Sequence, residues 1–375
     1  MIYCEKADQF KHLVQSLPAI LIIVFMAACS SGDDGSEQTA VKKSSSASAG
    51  TGTEDQLLQS VPFITLRNKT GSDKASKFFG DERSVEQAGY CDVSRTPIKP
   101  LKPIAEKASI YVPEDISKLK AIRESSIEDL WHGVEKASDG KHPILYLHGY
   151  YISFDRGCKR ASLFQESLGL AGRYVLFSWP SDGAILNYTR DESDLYWSVA
   201  PLVETLDDMI NRFGAGNFDI AAHSLGTRGV FLALVMLAQA AQGNVPLVDQ
   251  VVLIAPDIDV GIFKQYLPQI LPLVRNITIY VSSNDRPLTL SRQVHGYPRL
   301  GEAGAHLEGL TGTEIVDLSY IPVRYPSGHV YHLYHDIVVN DLDQLLNGGK
   351  RPSQRSNLKQ TGDDYWQLHP EVIDN

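Results

Sequence analysis

From His142 onward the sequence alternates short apolar runs with longer amphipathic ones, and this alternation limits the possible folds more than any other feature. Most of the short runs lack a strict apolar–polar alternation, as expected for strands that are buried on both faces of a parallel sheet. The predicted strands are Ile144–Leu147, Tyr174–Ser178, Phe218–Ala222, Val251–Ala255, Ile277–Val281 and Glu314–Ser319. The predicted helices are Lys159–Leu170, Asp194–Phe213, Gly226–Ala241, Ile262–Leu273 and Asp336–Leu346. This order predicts an α/β fold in which a mostly parallel central sheet has helices on both faces.

The N-terminal segment predicts export rather than a folded domain. Lys6 and Lys11 precede an uncharged run of ten residues, Ala19–Ala28. As a helix this run would span about 15 Å, half of the roughly 30 Å of a bilayer core. The run continues into Cys29 and Ser30 and is similar to a bacterial lipoprotein signal, which implies that Cys29 is lipidated and becomes the mature N-terminus. The alternative is a plain secretory signal with an incidental cysteine.

Composition divides the chain into four parts. These are a lipoprotein-type signal peptide over residues 1–28, a flexible tether over 29–59, the α/β domain over 60–347 and a polar tail over 348–375. The tether is rich in Ser, Gly, Thr, Asp and Glu and has too few apolar side chains to form a core. Within the domain, Val61–Asp139 could supply early strands that extend the sheet, interrupted by a loop at Pro97–Pro103.

Charge and cysteine content narrow the classes of partner. The net charge of −10 argues against a nucleic-acid-binding protein, which would present a basic face, and gives no attraction to anionic lipid headgroups. Membrane attachment would therefore depend on the lipid at Cys29. Ser30 after this cysteine favours, by the same resemblance, the outer membrane with the domain facing the periplasm; without lipidation the protein would be secreted. Cys91 and Cys158 would either pair there or remain buried thiols.

The pentapeptide Ala222-His-Ser-Leu-Gly226 lies between a predicted strand and a predicted helix. In a nucleophile elbow this turn exposes the serine hydroxyl at the carboxyl edge of the sheet, and the residues two before and two after it must be small. Ala222 replaces the usual first glycine, and its single methyl group is tolerable. The pattern predicts Ser224 as the nucleophile; the alternative role for Ser224 is a helix cap worth about 1 kcal/mol.

A serine nucleophile needs a histidine base and a carboxylate that orients it. In chain order the acid follows the serine and precedes the histidine. Asp285 follows the strand that ends at Val281 and is the predicted acid, with Asp257, one strand earlier, as the alternative. His329, in a flexible loop before the last helix, is the predicted base.

Two backbone amides are predicted to form the oxyanion hole. One belongs to Leu225, directly after the nucleophile, and the other to Tyr150 or Tyr151, which follow Gly149 at the end of a strand.

A metal site is a weaker alternative for the residues around His329. It would consist of His329, His332, His335 and Asp336, but closely spaced histidines in a Tyr-rich stretch are more often packing residues, so no metal is predicted.

An ordered series of motifs carries a family resemblance. The motifs are His148-Gly-Tyr, Phe154-Asp, Phe177-Ser-Trp-Pro-Ser181, Tyr188-Thr-Arg-Asp191, Ala222-His-Ser-Leu-Gly-Thr-Arg228, Ala255-Pro-Asp-Ile-Asp259 and Tyr280-Val-Ser-Ser-Asn-Asp285, with Phe78–Glu82 earlier in the chain. They resemble a bacterial α/β-hydrolase family catalogued as domain of unknown function 900, related to esterases and lipases. The resemblance covers roughly Val61 to Leu346. It implies an α/β-hydrolase fold with Ser224 as nucleophile, Asp285 as acid and His329 as base. This chain has Tyr151 where the family typically has Asn.

These observations predict a serine hydrolase of the cell envelope that cleaves carboxylic esters, either small molecules or lipids, through an acyl-enzyme. The chemistry needs no cofactor. One alternative is a non-catalytic protein with a hydrolase fold that binds lipid or a protein partner. Another is an acyltransferase or a peptidase that uses the same three residues.

Overall fold

The computed structural model describes residues 57–97, 115–184, 187–240, 245–323 and 327–370. The predicted signal peptide, Cys29 and most of the tether lie outside the described residues. So does most of the predicted loop at Pro97–Pro103. Among the described helices, none is long and apolar enough to cross a membrane.

One eleven-stranded sheet forms the centre of the described part of the chain, in the order β10-β11-β9-β8-β7-β6-β4-β5-β1-β2-β3. The strands are β1 (Leu57–Lys69), β2 (Phe79–Pro97), β3 (Asp115–Ser125), β4 (Ile144–Leu147), β5 (Tyr174–Ser178), β6 (Asp219–His223), β7 (Val248–Ile254), β8 (Val274–Val281), β9 (Glu314–Asp317), β10 (Leu358–Gln360) and β11 (Tyr365–Leu368). Strand β1, strands β4 to β9 and strand β11 are parallel to one another, whereas β2, β3 and β10 are added in antiparallel pairs. The mostly parallel sheet predicted from the alternation is therefore confirmed.

Helices cover both faces of this sheet. They are α1 (Ile127–Ser138), α2 (Phe154–Ser167), α3 (Tyr188–Phe213), α4 (Leu225–Ala240), α5 (Val260–Ile270), α6 (Arg286–His295), α7 (Tyr331–Tyr334) and α8 (Asp336–Leu346). Strand residues alternate between two apolar clusters: Leu145 and Leu147 of β4 join the helices α1, α3, α4 and α5, while Ile144 and Tyr146 join α2, α7 and α8. Both faces of β4 are thus buried, which explains why its sequence is apolar at every position.

Several predicted boundaries agree with the structure, and others shift for local reasons. Strands β4 and β5 and helix α8 have the predicted bounds. Helix α2 begins five residues before the predicted Lys159, because the Ser153 side chain accepts a hydrogen bond from the Arg156 N–H and caps the helix at that point. The early segment contributes β1, β2 and β3 and extends the sheet, as anticipated.

The segment predicted as a polar tail takes part in the fold. Strand β11 pairs in parallel with β9, and β10 pairs with β11, so the sheet continues past residue 347. The Leu368 side chain is fully buried in this extension. Three and four residues are short for strands, and isolated apolar residues among polar ones gave no periodic signal.

A disulfide bond joins Cys91 of β2 to Cys158 of α2, with their Cα atoms 6.2 Å apart. The two cysteines are 67 residues apart in the sequence, and both are fully buried. Of the two alternatives drawn from the sequence, the structure has the paired one.

Candidate active site

Ser224 occupies the single position between β6, which ends at His223, and α4, which begins at Leu225. Its φ is +52°, a left-handed conformation that a non-glycine residue seldom adopts. The Ser224 N–H donates to the carbonyl of Ile254, 2.9 Å away, and so ties the turn to β7. A Cβ at Gly226 would lie 2.3 Å from the His148 carbonyl oxygen, so glycine is required at that position. The turn has the strand–turn–helix geometry of a nucleophile elbow.

Asp285 and His329 form a hydrogen-bonded pair at the same edge of the sheet. Asp285 caps α6, where its Oδ1 accepts from the Leu288 N–H at 3.1 Å, and its Oδ2 lies 2.7 Å from His329 Nδ1. A carboxylate in this position requires that Nδ1 carry the proton, so Nε2 of the neutral ring is left as the proton acceptor. Burial raises the pKa of Asp285, although His329 and the Leu288 N–H oppose that rise.

Asp257, the alternative acid, has other partners. Its Oδ1 accepts from Arg299 Nε at 2.7 Å and from Ser291 Oγ at 2.6 Å, and its Oδ2 accepts from Tyr188 Oη at 2.7 Å. Burial alone would raise the pKa of Asp257, but Arg299 and Arg228 hold it below its usual value. These contacts make Asp257 the centre of a buried ionic network, while the bond to His329 belongs to Asp285.

The histidines near His329 have packing and hydrogen-bonding partners. His332 is fully buried, with its Nε2 3.4 Å from Tyr146 Oη, and its ring centre is 4.4 Å from that of His223. His223 Nε2 lies 3.0 Å from the backbone carbonyl of His329 and donates to it. Burial lowers the pKa of His223 and of His332 well below the usual value, so both rings are neutral. His223 thus helps to hold the loop that carries His329, a contact that the sequence analysis missed.

A possible metal site lies at another place in the described structure. Within the described ranges, the only group of three or more His, Cys, Asp or Glu side chains that could hold a metal is His142, Asp219 and Asp249. The metal site considered from the sequence, formed by His329, His332, His335 and Asp336, is not such a group. His142 Nδ1 lies 3.4 Å from a carboxylate oxygen of each aspartate, and these acids raise its pKa to about 9. Ion pairing thus accounts for this group.

The loop after β4 lies against the nucleophile. A Cβ built on Gly149 would be 2.9 Å from Ser224 Cβ, so the loop passes too close to the serine for any side chain at this position. Of the two predicted donors in this loop, the Tyr151 N–H donates to Asp191 Oδ2 at 3.1 Å, and the role of the Tyr150 amide stays a prediction. Leu225, the other predicted donor, is the first residue of α4, and amides in the first turn of a helix have no partner within it.

A family match agrees with this architecture. A family model described as "Alpha/beta hydrolase of unknown function (DUF900)" matches residues 122–347. Among solved structures, an esterase from Pyrobaculum calidifontis has 14% identity and a TM-score of 0.33, over 56% of this chain and 78% of that one. A predicted CIB-like hydrolase from Thermoplasma acidophilum has 12% identity and a TM-score of 0.32, and the match covers 77% of this chain and 99% of that one. A thermostable esterase from Pseudomonas putida has 10% identity and a TM-score of 0.33, and the match covers 79% of this chain and 82% of that one. The search of curated proteins finds no match.

Proposed function

Because this chain belongs to the α/β-hydrolase family of unknown function DUF900, we propose that it is a serine hydrolase that cleaves carboxylic esters. Ser224 is the nucleophile, His329 the base and Asp285 the acid. The observation that carries the proposal is the 2.7 Å contact between His329 Nδ1 and Asp285 Oδ2, at the sheet edge where Ser224 adopts its left-handed turn.

The proposed reaction has two halves. Ser224 Oγ attacks the acyl carbon while His329 Nε2 takes the hydroxyl proton, and the same proton then passes to the departing alkoxide, which leaves as the alcohol. A water molecule next attacks the acyl-enzyme, gives a proton to His329, and releases the acid as the proton returns to Ser224. Asp285 stabilises the positively charged imidazole in both halves. The amides of Leu225 and Tyr150 are the proposed donors to the developing oxyanion.

Labelling with a fluorophosphonate probe tests the nucleophile. We expect wild-type protein to be labelled and to hydrolyse p-nitrophenyl butyrate, and Ser224→Ala to lose both activities, by about 10³-fold or more in kcat. Ser162→Ala is a matched control, because Ser162 is a buried serine on α2 that has no part in the proposed mechanism. Equal ester turnover in wild type and Ser224→Ala would reject the mechanism. No labelling of wild type, with ester turnover at the uncatalysed rate in both proteins, would favour the non-catalytic alternative, in which the domain binds lipid or a protein.

The same triad serves acyltransferases and peptidases, so the acceptor and the scissile bond need a separate comparison. Competing alcohols and amines would divert the acyl group in an acyltransferase, and amide substrates would be cleaved by a peptidase. Hydrolysis of esters alone, with free acid as the product, supports the proposed activity.

We further propose that the enzyme acts in the cell envelope, anchored by a lipid on Cys29, on small-molecule or lipid esters. The support is the lipoprotein-like sequence around Cys29 and the disulfide between Cys91 and Cys158, which suits an oxidising compartment.

A further inference from the structure

Two buried residues of opposite charge hold the loops next to Ser224. Arg67 lies on β1 and Asp191 on α3, and neither side chain is accessible to solvent. Both contact the oxyanion loop, defined here as Gly149–Ile152, and the adjoining loop after β5, Trp179–Asp182. Neither residue has a role in the proposed proton transfers, so their burial needs another explanation.

The backbone of the oxyanion loop is strained at Tyr151. Its φ is +63°, in the left-handed region that disfavours residues with a Cβ, and such a conformation persists only where its surroundings enforce it. The Tyr151 N–H donates to Asp191 Oδ2, and the Tyr151 carbonyl accepts from Arg156 Nη1 at 2.9 Å. The Arg156 guanidinium also lies 4.5 Å from the centre of the Tyr151 ring. Asp191 therefore supplies one of the two hydrogen bonds that hold the backbone of Tyr151, and this bond is made by the peptide group that joins Tyr150 to Tyr151.

Ser181 links the two charges to the next residue of the loop. Its hydroxyl donates to Asp191 Oδ2 at 2.5 Å and accepts from the Ile152 N–H at 3.0 Å. Arg67 Nη1 donates to the Ser181 carbonyl and Nη2 to the Ile152 carbonyl, each at 2.7 Å. Ile152 is thus bound at both its N–H and its carbonyl, and the whole connection is buried.

This network ends close to the reacting groups. Gly149 lies so close to Ser224 that it has no room for a side chain. Tyr150 is the proposed oxyanion donor, and Tyr151 and Ile152 make the hydrogen bonds just described. We propose that Asp191, together with Arg67, is a positioning residue that fixes the oxyanion loop so that the Tyr150 amide stays directed at the oxyanion formed on Ser224 attack. The proposal rests on the proposed serine hydrolase function.

An ionised carboxylate is needed for this role. Asp191 accepts three hydrogen bonds. Its Oδ2 accepts from the Tyr151 N–H and from the Ser181 hydroxyl, and its Oδ1 accepts from the Asp182 N–H at 2.9 Å. Burial raises the pKa of Asp191 to about 6, while these donors oppose the rise, so at pH 8 the group is a carboxylate. An asparagine of the same shape has only one acceptor oxygen and cannot satisfy donors on both sides.

The test compares two buried acids of the same helix. Asp191→Asn removes the carboxylate that holds the loop, whereas Asp194→Asn, the control, changes an acid that is paired with Arg83, 2.6 Å away. At pH 8 we expect Asp191→Asn to lower kcat for p-nitrophenyl butyrate by ~10- to 100-fold with KM within about 3-fold of wild type. Phenylboronic acid, which forms a tetrahedral adduct on the serine, should bind more weakly by a similar factor. Asp194→Asn should leave both values within about 3-fold.

Three sets of variants test the positioning role and separate it from the proposed function. Equal kcat in the two asparagine variants, or a raised KM with unchanged kcat, would overturn the positioning role. If Asp191→Asn does not fold, Ser181→Ala takes its place, with an expected ~5-fold or larger loss of kcat; an unchanged kcat there overturns the proposal as well. Wild-type activity in Ser224→Ala would instead reject the serine hydrolase function itself, so the two failures are distinguishable.

Discussion

Asp257 and Asp285 are two buried carboxylates that follow adjacent strands, but they have different hydrogen-bond partners and therefore different roles. Asp257 accepts from Arg299 and from two hydroxyl groups, so its charge is neutralised within the protein. Asp285 has one oxygen on the cap of α6 and the other on His329. Of the two acids, only Asp285 is hydrogen-bonded to an imidazole ring.

Exchange of each acid for its amide separates these roles. We expect Asp285→Asn to lower kcat by roughly 10³- to 10⁴-fold, because an amide facing Nδ1 favours the wrong imidazole tautomer. Asp257→Asn should instead leave Arg299 without its counter-charge and Arg228 with Glu192 alone, and so lower the free energy of unfolding by ~3 kcal/mol or more. The kcat of its folded fraction should stay within ~10-fold of wild type.

Urea titrations and kcat measured per labelled active site provide the two readouts. A large loss of kcat in Asp257→Asn, with little change in Asp285→Asn, would reverse the assignment of the acid.

The sequence alone left this choice open for a physical reason. Each aspartate follows an apolar strand, so local pattern is the same for both. Their partners come from far along the chain, Ser291 and Arg299 for Asp257 and His329 for Asp285. The residues that identify the Ser224 turn, in contrast, lie within two positions of it, so the local pattern alone located the turn.

At the scale of elements, α2 links the oxyanion loop to the antiparallel end of the sheet. The helix begins at Phe154, directly after the loop that follows β4, and carries Cys158, which is bonded to Cys91 on β2. The disulfide therefore connects two elements that are distant in sequence, one of which starts beside the proposed site.

Reduction of this disulfide should lower the stability of the domain. A bond that closes a loop of 67 residues constrains the unfolded chain and stabilises the fold by about 4 kcal/mol. For a domain of roughly 300 residues that corresponds to ~6 °C in Tm. We expect thermal unfolding of wild type to shift downward by this order when dithiothreitol is added.

The double variant Cys91→Ala/Cys158→Ala is the control. Its unfolding midpoint should be low and insensitive to dithiothreitol, because the reductant then has no bond to break. A wild-type midpoint that does not move on reduction would contradict the assigned contribution of the disulfide.

The buried central strands were the elements most accurately predicted, and the edge strands the least. Strands β4 and β5 are apolar at nearly every position because both of their faces are covered, and this gives a clear sequence signal. The long strands β1 and β2 pair through an irregular register near Arg67, which breaks the alternation on which sequence interpretation depends. Their existence was anticipated, but their bounds and the burial of Arg67 were not.

For the molecule as a whole, the C-terminal segment forms one edge of the sheet. Arg355 precedes β10 and is fully buried, with its Nη1 2.8 Å from Asp341 Oδ2 on α8 and 3.0 Å from Tyr280 Oη on β8. Tyr280 Oη in turn donates to Asp341 at 2.6 Å. A single arginine, in a stretch whose polar composition indicated a tail, thus joins the C-terminal strands to the centre of the fold.

Removal of the Arg355 charge should therefore affect the stability of the entire domain. Arg355→Met leaves Asp341 buried without its cation, and breaking such a pair costs ~3–5 kcal/mol, measured as the free energy of unfolding in urea. Arg351→Met is the matched control: Arg351 is half exposed and pairs with Glu314, so its loss should cost no more than ~1 kcal/mol. The combined variant Arg355→Met/Asp341→Leu removes both charges and should recover part of the loss, since an apolar replacement of a buried pair is often neutral. If Arg355→Met costs no more than Arg351→Met, the C-terminal segment is only peripherally attached and the cooperative domain ends near residue 347, where the sequence pattern placed its boundary.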